Sequence, residues 1–423
     1  MGPAPWQDAT AHTDVLVVGA GPAGLALTLM LLRSGVQVTL AERSTSLRRD
    51  FHGEILQPGG QLVLDDLGVL KGASARGAHA LDGFEVRNRH KVLLDIDYRR
   101  LPPPHNRLLA LPQPHLLAEL LAACERQPGF TYLHGHRISA LPQDAGRTTG
   151  AVLVRPGSRR ITVRAAVVVG ADGRFSKTRA LAGITAGRRE VFDQDVAWFT
   201  LPAAGPPQRR VRIHRAGTAA LLVHDTHPDR LRIGWTLPHG AWNQVAAQGI
   251  DGIRRELAAA LPSHADALHT HLTSLSQLSL LDVFAAHADT WTRDGLVLLG
   301  DAAHTHGPLG AQGINLALQD AAVLHPVLLD ALAAGDLRQE RLGAFEQQRR
   351  PVADAVTRIQ RVQSMAFFGT GGPVAEFLRA RAAAVVTRTP AGARITSRIA
   401  YGRTPVRVRT ELFTAAADGP RAA

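Results

Sequence analysis

The stretch DVLVVGAGPAGLALTLMLLRSGVQVTLAER constrains the fold more than any other part of the chain. Asp14 to Val18 reads as an apolar strand, a glycine turn follows, an apolar helix runs to Arg33, and after a turn at Gly35 a second strand extends from Gln37 to Ala41. This is a βαβ unit, so an α/β fold is expected.

The glycines sit where such a unit needs them. Gly19 permits the tight turn, Gly21 lets the backbone approach a pyrophosphate, and Gly24 allows the helix to pack closely on the strand. The helix then opens through Pro22 and Ala23, with an anion at its N-terminus. Glu42 ends the second strand, where a carboxylate accepts hydrogen bonds from ribose hydroxyls. A dinucleotide site follows, but NAD and FAD use the same unit.

A second glycine loop, GDAAHTHGPLGAQGIN, separates them. Asp301 follows the apolar strand GLVLLGD, so its carboxylate emerges at the strand's C-terminal end, the edge where ligands of such sheets bind. Beyond it Pro308, Gly310, Ala311 and Gly313 form a loop poor in side chains whose backbone NH groups can meet a flat ring. A nicotinamide dehydrogenase needs no such loop; a long bound flavin does.

Between these landmarks the pattern changes twice. Residues 78–106 and 191–235 read as short antiparallel strands (GFEVRN, KVLLDIDYR, VAWFTLP, RRVRIHR, TAALLVHD, RLRIGWTLP), the latter followed by two helical stretches, GIDGIRRELAAAL and HADALHTHLTSL. RRITVRAAVVVGADG reads as a strand pair. The expected organisation is therefore an FAD-binding domain in three parts, 1–77, 107–190 and 286–345, interrupted by substrate-domain strands at 78–106 and a β-rich substrate domain at 191–285. A helical C-terminal region, 346–423, has breaks expected at Pro351, GTGGP and Pro390.

On these motifs the chain resembles the FAD-dependent aromatic hydroxylases, the single-component flavoprotein monooxygenases typified by p-hydroxybenzoate hydroxylase. GAGPAG matches the first family motif, ADGRFSKTR the second through Asp172, Gly173 and Ser176 with Arg179 following, and GDAAHTHGPLGAQGIN the third. The resemblance implies that Gly300 and Asp301 bind the ribityl chain, that Pro308, Gly310, Ala311, Gln312, Gly313, Ile314 and Asn315 frame the isoalloxazine, and that Gln113 contacts FAD. His52 stands where the family usually has an arginine, which leaves the pyrophosphate to Arg43, Arg48 or Arg49, or to a weaker hold. NADH or NADPH is implied as a transient donor over the second motif.

The implied reaction is the insertion of one oxygen atom from O2 into a phenolic, polyketide or similar lipophilic aromatic compound through a flavin C4a-hydroperoxide. The flavin supplies this chemistry while the protein orients, shields and tunes it. His306 and Pro308 are the candidate catalytic positions, His306 facing the pocket to deprotonate a phenol. Phe199, His214, His224 and Trp235 are candidate substrate linings on the β-rich insertion. A flavin oxidoreductase or halogenase without hydroxylation, and a flavin-binding protein without turnover, remain alternatives.

Composition narrows the remaining classes. The net charge is +12, yet the chain has few lysines, its arginines are scattered and its aromatic content is only 5%, so no nucleic-acid surface is expected. Cys124 is the only cysteine, in an apolar helix, and no HExxH or G-x-S-x-G motif occurs, so neither a metal site nor a serine hydrolase is expected. The first twelve residues do not read as a secretory signal and no uninterrupted apolar run reaches membrane-spanning length, so a cytoplasmic location is expected.

Overall fold

The computed structural model describes residues 9–47, 54–88, 91–157, 160–189, 194–216, 219–368 and 389–414. The βαβ unit forms as β1 (Ala9–Val18), α1 (Pro22–Arg33) and β2 (Val38–Glu42). β1 begins at Ala9 rather than Asp14 because its polar first half pairs, from Ala9 to Thr13, with Ile161 to Ala165. For the same reason Ile161–Gly170 is one long strand and not the pair expected from its sequence.

Five strands run parallel in the order Leu296–Leu298, Ile161–Gly170, β1, β2, Phe130–His134. Val15, Leu16, Val17, Val167, Val168 and Val169 are all fully buried, the unbroken apolar pattern of strands covered on both faces. α1 is apolar all round, and every residue from Ala23 to Leu32 is buried. Each of its fully buried leucines contributes roughly 1.5–3 kcal/mol relative to exposure. Cys124 lies in this core, where burial pushes its thiol up to about 12, so it behaves as a small hydrophobe.

Seven strands make a second sheet, in the order Ser279–Leu281, Gln194–Pro202, Arg230–Pro238, Ala219–Thr226, Val211–Ala216, Gly83–Arg87, Val92–Asp97. The two β-rich segments of sequence join through one parallel pairing, Val211 to His214 against Phe84 to Arg87. On this interleaving we propose the boundaries at 77/78, 106/107, 190/191, 285/286 and 345/346 for the domains. Helices Gly249–Ala260 and Ala265–His271 cover one face of the sheet and bury Ile253, Leu257 and Leu268 against it.

α2 (Gly313–Ala333) follows the second glycine loop and packs on α1; α3 (Gln339–Phe368) packs on α2. Pro351, where a break was expected, lies inside α3. A proline removes one helical hydrogen bond, but Arg349 is bonded to Asp320 and Arg350 to Glu346, which ties down the turn before it. The GTGGP break lies outside the described residues, and Pro390 starts a helix, Pro390–Tyr401, capped by Thr389. By length and mean hydropathy alone Leu309–Ala333 passes for a membrane span, although polar residues interrupt its apolar run; 61% of its most apolar window is buried, as in a core helix.

Candidate active site

The three glycine-containing turns meet at the C-terminal edge of the parallel sheet. At Gly19, φ is +112° and a β-carbon would fall 2.4 Å from the carbonyl oxygen of Ala171, so the first turn lies directly against the second motif. From the second motif, Arg179 Nη1 donates to the carbonyl of Ala302 at 2.8 Å, reaching the third. Leu299 N donates to the carbonyl of Gly170 at 2.9 Å, which fixes the strand end from which Asp301 emerges.

Around this junction the protein leaves room and donors. A β-carbon on Gly21, Gly173 or Gly313 would meet nothing within 4 Å. α1 and α2 both start without a side-chain cap and without an acidic residue in the first turn, so their NH groups and positive dipole ends face that space unneutralised. Gln113 opens the helix Gln113–Glu125; it is 5% exposed, and its Oε1 has no hydrogen-bond partner among the described residues. A buried orphan acceptor, two bare helix starts and three open glycine faces are what a phosphate-bearing, hydroxyl-bearing ligand would complete.

Glu42 is buried at the end of β2 and accepts from Ala20 N and from Ser44 N, both at 2.9 Å, which ties the strand end to the glycine turn. Asp301 has a third of its side chain exposed, with Arg174 Nε 4.0 Å away. Burial raises its carboxyl above the usual range, and Arg174 opposes that. Asp172 is spent locally: it accepts from Ser176 Oγ and, at 2.9 and 3.0 Å, from the NH and hydroxyl of Thr178. It shapes the turn that carries Gly173. Arg43 is exposed, and His52 lies outside the described residues with Arg48 and Arg49.

The second glycine loop is held by amides from distant parts of the chain. Gln57 Nε2 donates to the carbonyl of Gly310 at 2.7 Å, and Gln360 Nε2 donates to the carbonyls of Gly307 and Leu309 at 2.8 and 2.7 Å. Gln312 Nε2 donates to the carbonyls of Gly310 and, across to the C-terminal helix, Ile399. These bonds hold Gly310 at φ +73° and Ala311 at φ +50°, a conformation that strains a residue with a β-carbon. Pro308 is half-buried at the loop's start, and Ile314 packs into the main core. Asn315 is not free to frame a ring through its side chain: it is 1% exposed, accepts from Gln57 N at 2.8 Å and donates to the carbonyl of Ala311 at 2.6 Å. Gln57 and Gln360 carry no motif signal, and the sequence reading missed both.

His306 is also corrected. Instead of facing the pocket it is 6% exposed, with Nε2 at 2.9 Å from His304 Nδ1 and Nδ1 at 3.2 Å from Thr357 Oγ1. Both ring nitrogens are taken, and burial together with the neighbouring His304 and His287 holds its pKa well below the ordinary value.

Strand parity decides the substrate wall. Phe199 and Trp235 pack with the covering helices, and His214, opposite Leu221 in the ladder, shares that face, so none of the three lines the cleft. His214 sits near Arg87, Arg212 and His264; burial, then these neighbours, lower it to about 4. The opposite face carries Trp198, Leu222, His224 and Arg232, and Trp198 clusters with Leu309 of the second glycine loop. Gly234 permits this, because a β-carbon there would lie 2.8 Å from the Trp198 ring. His224 is thus on the face that carries Trp198, but it is buried, with Nδ1 at 3.0 Å from the carbonyl of Asp225. The same face has a polar end, where Glu54 meets Arg232 Nη1 at 3.1 Å and accepts from Thr226 at 3.0 Å.

The chain matches, over residues 12–360, the family described as the FAD binding domain. It is 51% identical to the 6-methylpretetramide 4-monooxygenase of Streptomyces rimosus, across 95% of this chain and 96% of that one. It is 29% identical to a 12-dehydrotetracycline 5-monooxygenase/anhydrotetracycline 6-monooxygenase of Streptomyces rimosus subsp. rimosus, across 83% of this chain and 69% of that one. The crystal structure of PqsL of P. aeruginosa in complex with 2-aminobenzoylacetate covers 88% of this chain and 99% of its own, with a TM-score of 0.75 and 25% identity.

Proposed function

Since the chain belongs to the FAD-binding family of aromatic hydroxylases, and is an FAD-dependent monooxygenase, we propose that it hydroxylates a fused-ring aromatic polyketide of the tetracycline type, with NADPH or NADH as transient donor. The observation that carries this reading is the likeness to 6-methylpretetramide 4-monooxygenase along nearly the whole length of both chains.

Bound FAD supplies the electron transfer and the activation of oxygen. The residues of the chain divide the remaining work. Gly19, Gly21 and Gly24 with the start of α1 would hold the pyrophosphate, and Glu42 the ribose. Asp301 would accept from the ribityl hydroxyls, and Gln113 Oε1 would gain the donor it now lacks. The uncapped start of α2 would offer NH dipoles to the negative charge that the flavin gains on reduction, a contribution of up to about 2 kcal/mol in partly buried geometry.

Trp198, Leu222 and Leu309, which pack together beside the second glycine loop, would offer an aromatic substrate apolar contact and help to exclude water from the reacting atoms. The Glu54–Arg232 end supplies both a hydrogen-bond acceptor and a cationic donor, which suits a ring system edged with phenol, carbonyl and amide groups. The test is to purify the yellow protein and incubate it anaerobically and in air with NADPH or NADH and a tetracyclic polyketide amide. Substrate-stimulated, oxygen-dependent donor oxidation with a product heavier by one oxygen atom is expected; substrate-independent oxidation that yields only peroxide would refute the substrate class.

A further inference from the structure

Behind the second glycine loop, a hydrogen-bonded run of side chains leads from the core to the surface. Arg349 Nε donates to Asp320 Oδ1 at 2.6 Å, His304 Nε2 meets Asp320 Oδ2 at 2.6 Å, and His304 Nδ1 meets His306 Nε2 at 2.9 Å. His306 Nδ1 lies 3.2 Å from Thr357 Oγ1, the same hydroxyl lies 3.1 Å from His287 Nε2, and His287 Nδ1 lies 3.0 Å from Asp354 Oδ1. The inner end is dry, with the His304 and Asp320 side chains 2% and 1% exposed, whereas that of Asp354 is 51% exposed.

Hydrogens can be placed along this run in two self-consistent ways. When Thr357 donates to the carbonyl of Ala353, 3.1 Å away, both flanking histidines must donate to its oxygen. His306 Nε2 then accepts from His304 Nδ1, and because Asp320 can only accept, His304 carries two protons and a positive charge. When Thr357 donates to His306 instead, His306 donates to His304, and His304 is neutral. The two arrangements differ by one proton, and turning a single hydroxyl exchanges their bonding pattern. We propose that Asp354, His287 and Thr357 form a proton path between the surface and the buried His306–His304 pair, which stores one proton behind the loop that frames the flavin ring.

The groups bearing on the pair are Asp301 from the preceding turn, Asp320 from α2, Arg349 and Asp354 from α3 and His287 from Ala285–Ala288. Burial alone would raise Asp320, but His304 and Arg349 outweigh it and keep the carboxyl ionised. In the arrangement with the extra proton, both nitrogens of His304 donate, one of them to the Asp320 carboxylate, so the stored proton lies beside that carboxylate. Monooxygenation needs such a supply. A nicotinamide donor, one proton, O2 and substrate R–H give oxidised nicotinamide, R–OH and water, so one proton must enter a water-excluded cleft in each turnover. That use of the path rests on the monooxygenase reading; the path itself does not.

The test is solvent exchange of the ring N–H protons of His304 and His306, read by NMR on the histidine-labelled holoenzyme, in the wild type, Thr357→Val, Thr357→Ser and His287→Gln. Exchange at least tenfold slower in T357V and H287Q, and restored in T357S, is expected. Wild-type exchange in T357V, or failure of T357S to restore it, overturns the path. A second readout is proton uptake, followed with a pH indicator while the bound FAD is reduced photochemically; it should slow in the same two variants, and equal rates in all four proteins also overturn the path. A colourless purified protein would count against the flavin reading, while the exchange measurement would still decide the path.

Discussion

Gly300 and Ala23 are neighbours: a β-carbon on Gly300 would lie 3.4 Å from the Cβ of Ala23 and equally close to that of Ala317. The turn expected to hold the ribityl chain therefore touches the first helical turn expected to hold the pyrophosphate, and one extended ligand can span both. At φ +59°, Gly300 can make this approach where other residues resist it. Gly300→Val should cost about 1–2 kcal/mol in backbone strain alone and press on Ala23 as well. We expect FAD to bind at least tenfold more weakly, measured by titrating apoprotein with the cofactor; unchanged affinity would separate the two turns functionally.

Asp301 provides the charge at this junction. Asp301→Ala should give largely colourless protein, because hydrogen bonds to a charged acceptor contribute about 1.5–3 kcal/mol, a tenfold to hundredfold change in dissociation constant. Absorbance of the purified variant checks this, and full flavin occupancy would remove Asp301 from the site.

Adjacent residues on one strand should differ in their effect on KM. Trp198→Ala should raise KM for the aromatic substrate, since its ring packs against Leu309 of the second glycine loop, and should also lower stability as any emptied buried aromatic position does. Phe199→Ala should leave KM nearly unchanged while lowering stability by about 3–5 kcal/mol, as expected for an emptied core position. Paired kinetics and thermal melts decide, and an altered KM in the Phe199 variant would reverse the face assignment.

Burial of His325 should make the fold acid-sensitive. It is fully buried, with one ring nitrogen 2.8 Å from Ser34 Oγ, and burial followed by Arg409 lowers it to about 4. A histidine lowered from its ordinary 6.5 binds fewer protons folded than unfolded, so its contribution is complete above pH 6.5 and is lost as pH falls towards 4. Melting temperature should fall across that window, and His325→Gln should flatten the fall by at most roughly 3 kcal/mol. An identical pH profile in the variant would show that His325 titrates normally.

Much of the architecture was legible because it is local. The strand, turn, helix, strand order of Val15 to Glu42 follows from hydrophobic period and glycine placement, and Asp301 stands at a strand end for the same reason. The three motifs could be matched as short strings, and the junction they form agrees with that match. No comparable string marks Gln57 or Gln360, since one amide reaching a loop from hundreds or tens of residues away leaves no periodic trace.

By itself, then, the sequence determined the order of strand, turn and helix in the first glycine unit, where that unit can turn tightly, and that a dinucleotide-sized anion has a place to sit, because these depend on residues close along the backbone; the single strand Ile161–Gly170 and the unbroken helix at Pro351 depended on distant partners. Tertiary structure alone decided which side of the second sheet meets the cleft. In a strand a shift of one position exchanges faces, so Trp198 rather than Phe199 borders the loop only because covering helices claimed the other side. It also decided that His306 turns inward to His304 and Thr357, since the free energy of a buried imidazole depends on partners that folding brings from elsewhere.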